Sequence, residues 1–122
     1  VKILVADDSR AMRMIVIRQL RQAGLEDAEF LQAENGYDAL EAVRRESVDL
    51  ILSDWNMPEM NGLEFLRTLR QEGSDIPFGF VTSEGTPDMI REARTAGATF
   101  LIAKPFTPEG FRETLEGAGV LR

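Results

Sequence analysis

Two rhythms alternate along the chain. Short apolar runs occupy Val1–Ala6, Phe30–Ala33, Val48–Ser53, Phe78–Thr82 and Phe100–Ala103. Their length and their content of Val, Ile, Leu and Phe predict strands, with the unbroken Leu50-Ile51-Leu52 reading as a strand buried on both faces. Between these runs, apolar residues recur at helical spacing. Ser9 to Ala23 carries Met12, Ile15, Val16 and Leu20 in this pattern, and Gly24 stops it. Tyr37 to Arg45 repeats the spacing through Leu40 and Val43, and Leu63 to Arg70 sets Leu63, Leu66 and Leu69 on one side. Thr86-Pro87-Asp88 reads as a helix start: a hydroxyl cap, proline at the first helical position, and an acid at the positive end of the dipole. That helix is predicted to run to Ala96 and end at Gly97. Thr107-Pro108-Glu109 repeats the start signal, but Gly110, Gly117 and Gly119 predict a weak, short last helix.

Strands alternating with helices in this way predict an α/β fold, a parallel sheet covered on both faces by right-handed crossovers. With 122 residues and no linker, repeat or low-complexity stretch, residues 1–122 are expected to form one domain. In such sheets, ligands bind beyond the carboxyl ends of the strands. Those ends carry Asp7 and Asp8 after the first strand, Asp54 after the third, Thr82, Ser83 and Glu84 after the fourth, and Lys104-Pro105 after the fifth. If the strands are parallel, these polar ends converge on one edge.

Composition narrows the chemistry that such an edge can perform. Cysteine and histidine are both absent, which removes disulfides, thiolate metal sites and the commonest general base. The formal charge of -7 argues against a nucleic-acid partner and favours a basic partner or a metal cation, although it also serves solubility. No apolar run approaches membrane-spanning length and no basic-plus-apolar leader opens the chain, so the expected location is the cytoplasm, with no membrane partner. Two ionised carboxylates about 4 Å apart repel by roughly 4 kcal/mol at an effective dielectric near 20. Either a proton or a cation must relieve them. Carboxylate oxygens without imidazole or thiolate select Mg²⁺, Mn²⁺ or Ca²⁺, and a site with open positions suits Mg²⁺. Lys104 adds to this. The chain uses 12 Arg and only two Lys, Lys2 and Lys104, so an ammonium at a strand end marks a place for a compact point charge, as phosphate oxygens would use. A nucleophilic carboxylate, a Lewis acid, a hydroxyl and an ammonium are the parts needed to make and hold an aspartyl phosphate.

Plainer roles exist for each residue. Asp7 and Asp8 could cap the following helix, Asp54 could be a turn residue, and Thr82 could bond to the backbone. Lys104 could be an ordinary solvated lysine. Trp55 reads as partly buried packing beside Asp54, and Glu59, Glu64 and Glu72 as a solvated face. One cap needs one Asp, and Asp54 does not stand alone, so the metal reading is preferred.

The series Asp7-Asp8, Asp54, Thr82 and Lys104-Pro105, with the stretches SDWNMPEMNGLEFL, VTSE and AKPF, resembles the receiver domains of two-component response regulators. The match covers essentially the whole chain and is nearest to the single-domain chemotaxis (CheY) type. The resemblance implies a flavodoxin-like (βα)5 three-layer sandwich with strand order 2-1-3-4-5. It implies that Asp54 is the phosphoacceptor, that Asp8 ligates Mg²⁺ directly and Asp7 largely through water, and that Asn56 offers its backbone carbonyl; Mn²⁺ would substitute. Thr82 and Lys104 would bond the phosphoryl group, a cis bond would join Lys104 to Pro105, and the side chains of Asn56 and Glu84 would tune hydrolysis. The implied partners are a histidine kinase as donor and a downstream protein such as a flagellar motor component. The chain would be a signalling switch with self-phosphorylation and slow autodephosphorylation, not a turnover enzyme. It departs from the family where an aromatic switch residue is usual: that position is Leu101, and the neighbouring Phe100 points to the opposite face. Either Leu101 switches with a smaller change of shape or the output takes another route. Four alternatives stay open: a receiver cut from a longer regulator, a Mg²⁺ phosphatase with an aspartyl nucleophile, a flavodoxin-like cofactor binder, and a phosphorylation-independent interaction module. The phosphatase would want an acid where Asn56 stands, and the cofactor binder a Ser/Thr/Gly phosphate loop where Asp7-Asp8 stands.

Overall fold

A computed structural model of the chain describes residues 1–104 and 106–120. Among these, five strands and five α-helices alternate, with a π-helical turn (Arg21–Leu25) extending the first helix: β1 (Lys2–Ala6), α1 (Arg10–Leu20), β2 (Glu29–Ala33), α2 (Gly36–Arg45), β3 (Leu50–Ser53), α3 (Gly62–Gln71), β4 (Phe78–Thr82), α4 (Pro87–Ala96), β5 (Phe100–Ala103) and α5 (Pro108–Gly117). All neighbouring strands pair parallel in the order β2-β1-β3-β4-β5. The expected flavodoxin-like three-layer sandwich is therefore the observed fold.

Alternation along each strand divides the core in two. Leu4, Ala6, Ile51, Phe78 and Phe80 face α2, α3 and α4, where they meet Leu40, Phe65, Leu66, Leu69 and Ala93. Ile3, Val5, Leu50, Leu52, Val81 and Ile102 face α1 and α5, where they meet Val16, Ile17, Leu20, Phe111 and Leu115. Because β1, β3 and β4 are covered on both sides, their sequences read as continuous apolar runs. Each helix starts on a polar cap that accepts a backbone N–H: Ser9, Asn35, Asn61, Thr86 and Thr107. At α3 the cap is reciprocal, since the Glu64 side chain bonds the Asn61 N–H in return.

Two helices differ from the sequence reading. α1 buries Arg13, Val16, Ile17 and Leu20, whereas Ile15 is 43% exposed and Met12 only half-buried. The buried stripe is rotated by one residue because the long stem of Arg13 occupies a core-facing position. The last helix is ten residues long, as are α2, α3 and α4. Gly110 lies in its first turn, Gly117 is its last residue and Gly119 (φ 76) lies outside it, so none interrupts its middle.

Gly79 has a packing reason. It pairs directly with Phe100 across β4 and β5, and a Cβ on it would fall 1.9 Å from the Phe100 ring. A glycine in a buried strand is otherwise unfavourable; here it admits a cross-strand aromatic. Gly79→Ala should therefore lose about 1–3 kcal/mol of stability by overpacking. In urea unfolding, the double variant with Phe100→Ala should be more stable than the sum of the two single losses predicts.

Candidate functional site

Strand register brings the candidate residues to one edge. Ala6 pairs with Ser53, and one step further the Asp54 N–H donates to the Ala6 carbonyl at 2.8 Å. Asp7 and Asp54 therefore leave the sheet side by side. On the other flank Thr82 pairs with Ala103, and the Lys104 N–H donates to the Thr82 carbonyl at 2.8 Å. Sheet order then reads Asp7-Asp8, Asp54, Thr82, Lys104 along a single rim.

The three aspartates form a cluster: one carboxylate oxygen from each of Asp7, Asp8 and Asp54 lies within 4.8 Å of the others. Asp7 is 5% exposed, Asp54 is half-buried and Asp8 is open to solvent, so the cluster faces outward on one side. Asp7 does not cap α1 itself. Its Oδ1 accepts the Ser9 N–H at 2.8 Å, and Ser9 Oγ caps the helix by accepting the Met12 N–H at 3.2 Å. Burial pushes the Asp7 carboxyl up to about 6, with Asp54 and Asp8 adding to the rise and the Ser9 N–H opposing it. Burial also raises Asp54; the Trp55 N–H, the Lys104 charge and the Asn56 N–H oppose that shift, and Asp8 reinforces it. The donor set fits a hard divalent cation: three convergent carboxylates whose charges are costly together, with no nitrogen or sulfur ligand in the chain.

Thr82 is 1% exposed, and its Oγ1 accepts the Glu84 N–H at 3.2 Å. The backbone role considered for it is thus present, and the hydroxyl proton remains to be donated. Asn56 and Glu84 are both exposed at the mouth of the site, and Lys104 is half-buried. Leu101 lies on the α4 side of the sheet and packs against the core there, while Phe100 lies on the α5 side, as alternation predicts. The expected cis bond to Pro105 lies outside the described residues.

Three supporting residues were not read from the sequence as part of the site. Ser53, 1% exposed, donates its hydroxyl to the Asp54 carbonyl at 2.9 Å. Gly62 lets the start of α3 pass directly beneath Asp54: a Cβ there would meet the Asp54 carbonyl at 2.2 Å, and its N–H donates to the Trp55 carbonyl at 2.9 Å. The Asn61-Gly62 pair was the available signal. Arg13 donates to the Asp7 carbonyl at 2.6 Å. Trp55 packs on Phe80 with ring centroids 4.7 Å apart, beside the acid cluster.

Comparison with known proteins agrees with this geometry. The response regulator receiver domain family matches residues 3–116. A chemotaxis protein CheY homolog of Campylobacter jejuni is 42% identical over 118 residues, spanning 94% of this chain and 89% of that protein. The chemotaxis protein CheY1 of Helicobacter pylori is 40% identical and is matched over 94% of both chains. The crystallised chemotaxis protein CheY4 of Vibrio cholerae superposes with a TM-score of 0.84 at 35% identity, covering 96% of this chain and 97% of that one. With its sheet order, its rim of aspartates and these relatives all in agreement, the chain belongs to the response regulator receiver domains.

Proposed function

We propose that Asp54 is the phosphoacceptor of this phosphorylation-activated response regulator, receiving its phosphoryl group from a phosphohistidine on a partner kinase or from a small acyl phosphate. The observation that carries the reading is the convergence of Asp7, Asp8 and Asp54 oxygens within 4.8 Å, with the Lys104 charge acting on Asp54. In the transfer, an Asp54 carboxylate oxygen attacks phosphorus, the P–N bond of the donor breaks, and the imidazole takes up a proton as it leaves. Asp7, Asp8 and Asp54, with the Asn56 backbone carbonyl, would hold Mg²⁺, or Mn²⁺ in its place. When bound, the cation neutralises the charge that gathers on the phosphoryl oxygens.

The chain's own groups do the rest. The Trp55 N–H, donating at 2.8 Å, fixes the orientation of the Asp54 carboxylate. The Thr82 hydroxyl, already accepting the Glu84 N–H, is oriented to donate to a phosphoryl oxygen. Lys104 supplies an ammonium as a flexible charge clamp. Asn56 and Glu84, exposed at the mouth, control the approach of the water that hydrolyses the product to inorganic phosphate. The new dianion pulls Thr82 and Lys104 inward and biases a two-state surface. Leu101 takes part in that response: a Cβ built on Gly85, in the loop after Thr82, would lie 3.6 Å from Leu101 Cδ2. The chemotaxis relatives point to a histidine kinase as donor and a protein target, such as a flagellar motor component, in the cytoplasm. Among the described residues, no helix is long and apolar enough to cross a membrane.

Incubation with acetyl phosphate and Mg²⁺ should add the mass of one phosphoryl group to the wild-type chain. The addition should vanish in Asp54→Asn and in excess EDTA. A phosphoryl group retained by Asp54→Asn would refute the assignment.

The crowding also predicts a dependence on pH. A carboxyl whose folded value, about 6, exceeds its ordinary 3.8 binds its proton more tightly in the native state. Stability from this group is therefore full below the unfolded value and is lost as pH rises through the folded one. Without metal, Asp7→Asn should match wild type near the unfolded value and exceed it in urea midpoint above the folded value. Added Mg²⁺ should narrow the gap by stabilising wild type.

A further inference from the structure

We infer that Arg13 is a positioning residue whose guanidinium sets the β1–α1 turn for divalent-cation binding; this rests on the reading that Asp7 and Asp8 hold the cation. Arg13 is 7% exposed on the core-facing stripe of α1. Buried arginines are ordinarily paired with carboxylates. Among the described residues, no ion pair involves Arg13. Its partners are neutral oxygens: Nη1 donates to the Asp7 backbone carbonyl at 2.6 Å, and Nε donates to Gln32 Oε1 at 2.9 Å.

The first of these bonds completes a clamp around Asp7, and the second ties the same guanidinium to β2. The Asp7 N–H already donates to the Ala33 carbonyl at the end of β2, at 3.0 Å. Arg13 holds the other side of the same residue, and the Ser9 N–H holds its side chain at 2.8 Å. Asp7 is thus tied to β2, to α1 and to the helix cap at once. Such restraint has a physical purpose here. Three like charges within 4.8 Å repel, and a free strand-to-helix turn would relieve them by splaying Asp7 and Asp8 away from Asp54. The planar fork of arginine reaches two acceptors in fixed geometry and opposes that relaxation, so the donors stay convergent before the cation arrives. A lysine offers a single point charge and cannot span both oxygens.

The test is a Mg²⁺ titration followed by Trp55 fluorescence in wild type, Arg13→Ala, Arg13→Lys and Gln32→Leu, alongside phosphoryl uptake from acetyl phosphate at rising Mg²⁺. Outer-shell partners typically change metal affinity by about 10–100-fold. Arg13→Ala should weaken Mg²⁺ binding by about that factor, with Arg13→Lys and Gln32→Leu intermediate. Phosphoryl uptake by Arg13→Ala should shift to higher Mg²⁺ yet approach the wild-type rate at saturation, a split that general loss of structure would not produce. A folded Arg13→Ala that binds Mg²⁺ as wild type does overturns the inference. So does an uptake defect that saturating Mg²⁺ leaves in place. Should Arg13→Ala fail to fold, unchanged Mg²⁺ affinity in both Arg13→Lys and Gln32→Leu overturns it. A wild-type chain with no Mg²⁺ response overturns the metal reading itself, and this inference with it.

Discussion

Crowding of carboxylates at the junction of β1 and β3 is the constraint on which the site depends. It follows from topology: the crossover through α1 and β2 returns the chain so that β3 pairs with β1, and Ala6 then stands opposite Ser53. The next residue on each strand is an aspartate. Water cannot fully screen the pair, because Asp7 is buried and Asp54 half-buried. Burial and mutual repulsion both raise the Asp7 carboxyl, and only the Ser9 N–H opposes them. At Asp54 the opposition is stronger, since backbone N–H groups and Lys104 favour the ionised form. The two carboxyls are thus set apart by their surroundings. Both carboxyls are raised, Asp7 with one opposing N–H and Asp54 with backbone N–H groups and Lys104 opposing, so Asp7 is the one most in need of a cation.

Much of this was legible in the sequence, and the reasons are particular. Phe78–Thr82 and Phe100–Ala103 match the observed strands residue for residue. Both are bounded by strong punctuation, Pro77 before one and Gly97 before the other. That the candidate residues would gather on one rim was legible because each stands at the end of an apolar run, where a parallel sheet collects polar groups. The buried face of α1 was not legible. Met12 and Ile15 look like core and Arg13 like surface, and hydropathy alone cannot show that an arginine stem fills an interior position while its head serves a carbonyl. Nor was the length of α5. Propensity charges each glycine as though it stood mid-helix, whereas Gly110 and Gly117 occupy the first and last turns, where the penalty is smallest and packing of Phe111 and Leu115 decides.

Gly79 and Phe100 show how a local cost becomes a rigid joint. Phe100 lies over the bare backbone of Gly79 on the α5 side of the sheet, with a Cβ position only 1.9 Å from its ring. On the other side of β5, Leu101 faces Gly85 and the loop that follows Thr82, and with Phe100, Ile90, Ala93 and Ala98 it lines a groove of about 310 Å³ between α4 and α5.

Under the proposed phosphorylation, that arrangement bears on which residue of β5 would respond. An inward shift of Thr82 would move the Glu84 N–H bonded to its hydroxyl, and with it the loop against Leu101. Phe100 lies on the opposite face of β5, over Gly79 and away from that loop. The residue of β5 in line with that loop is Leu101. A leucine has no hydroxyl to satisfy and less bulk to relocate than an aromatic, so it can repack without exposing an unpaired polar group. Under the proposed phosphorylation of Asp54, the change offered to a partner would be one of groove shape between α4 and α5, set by loop position more than by the swing of a large side chain.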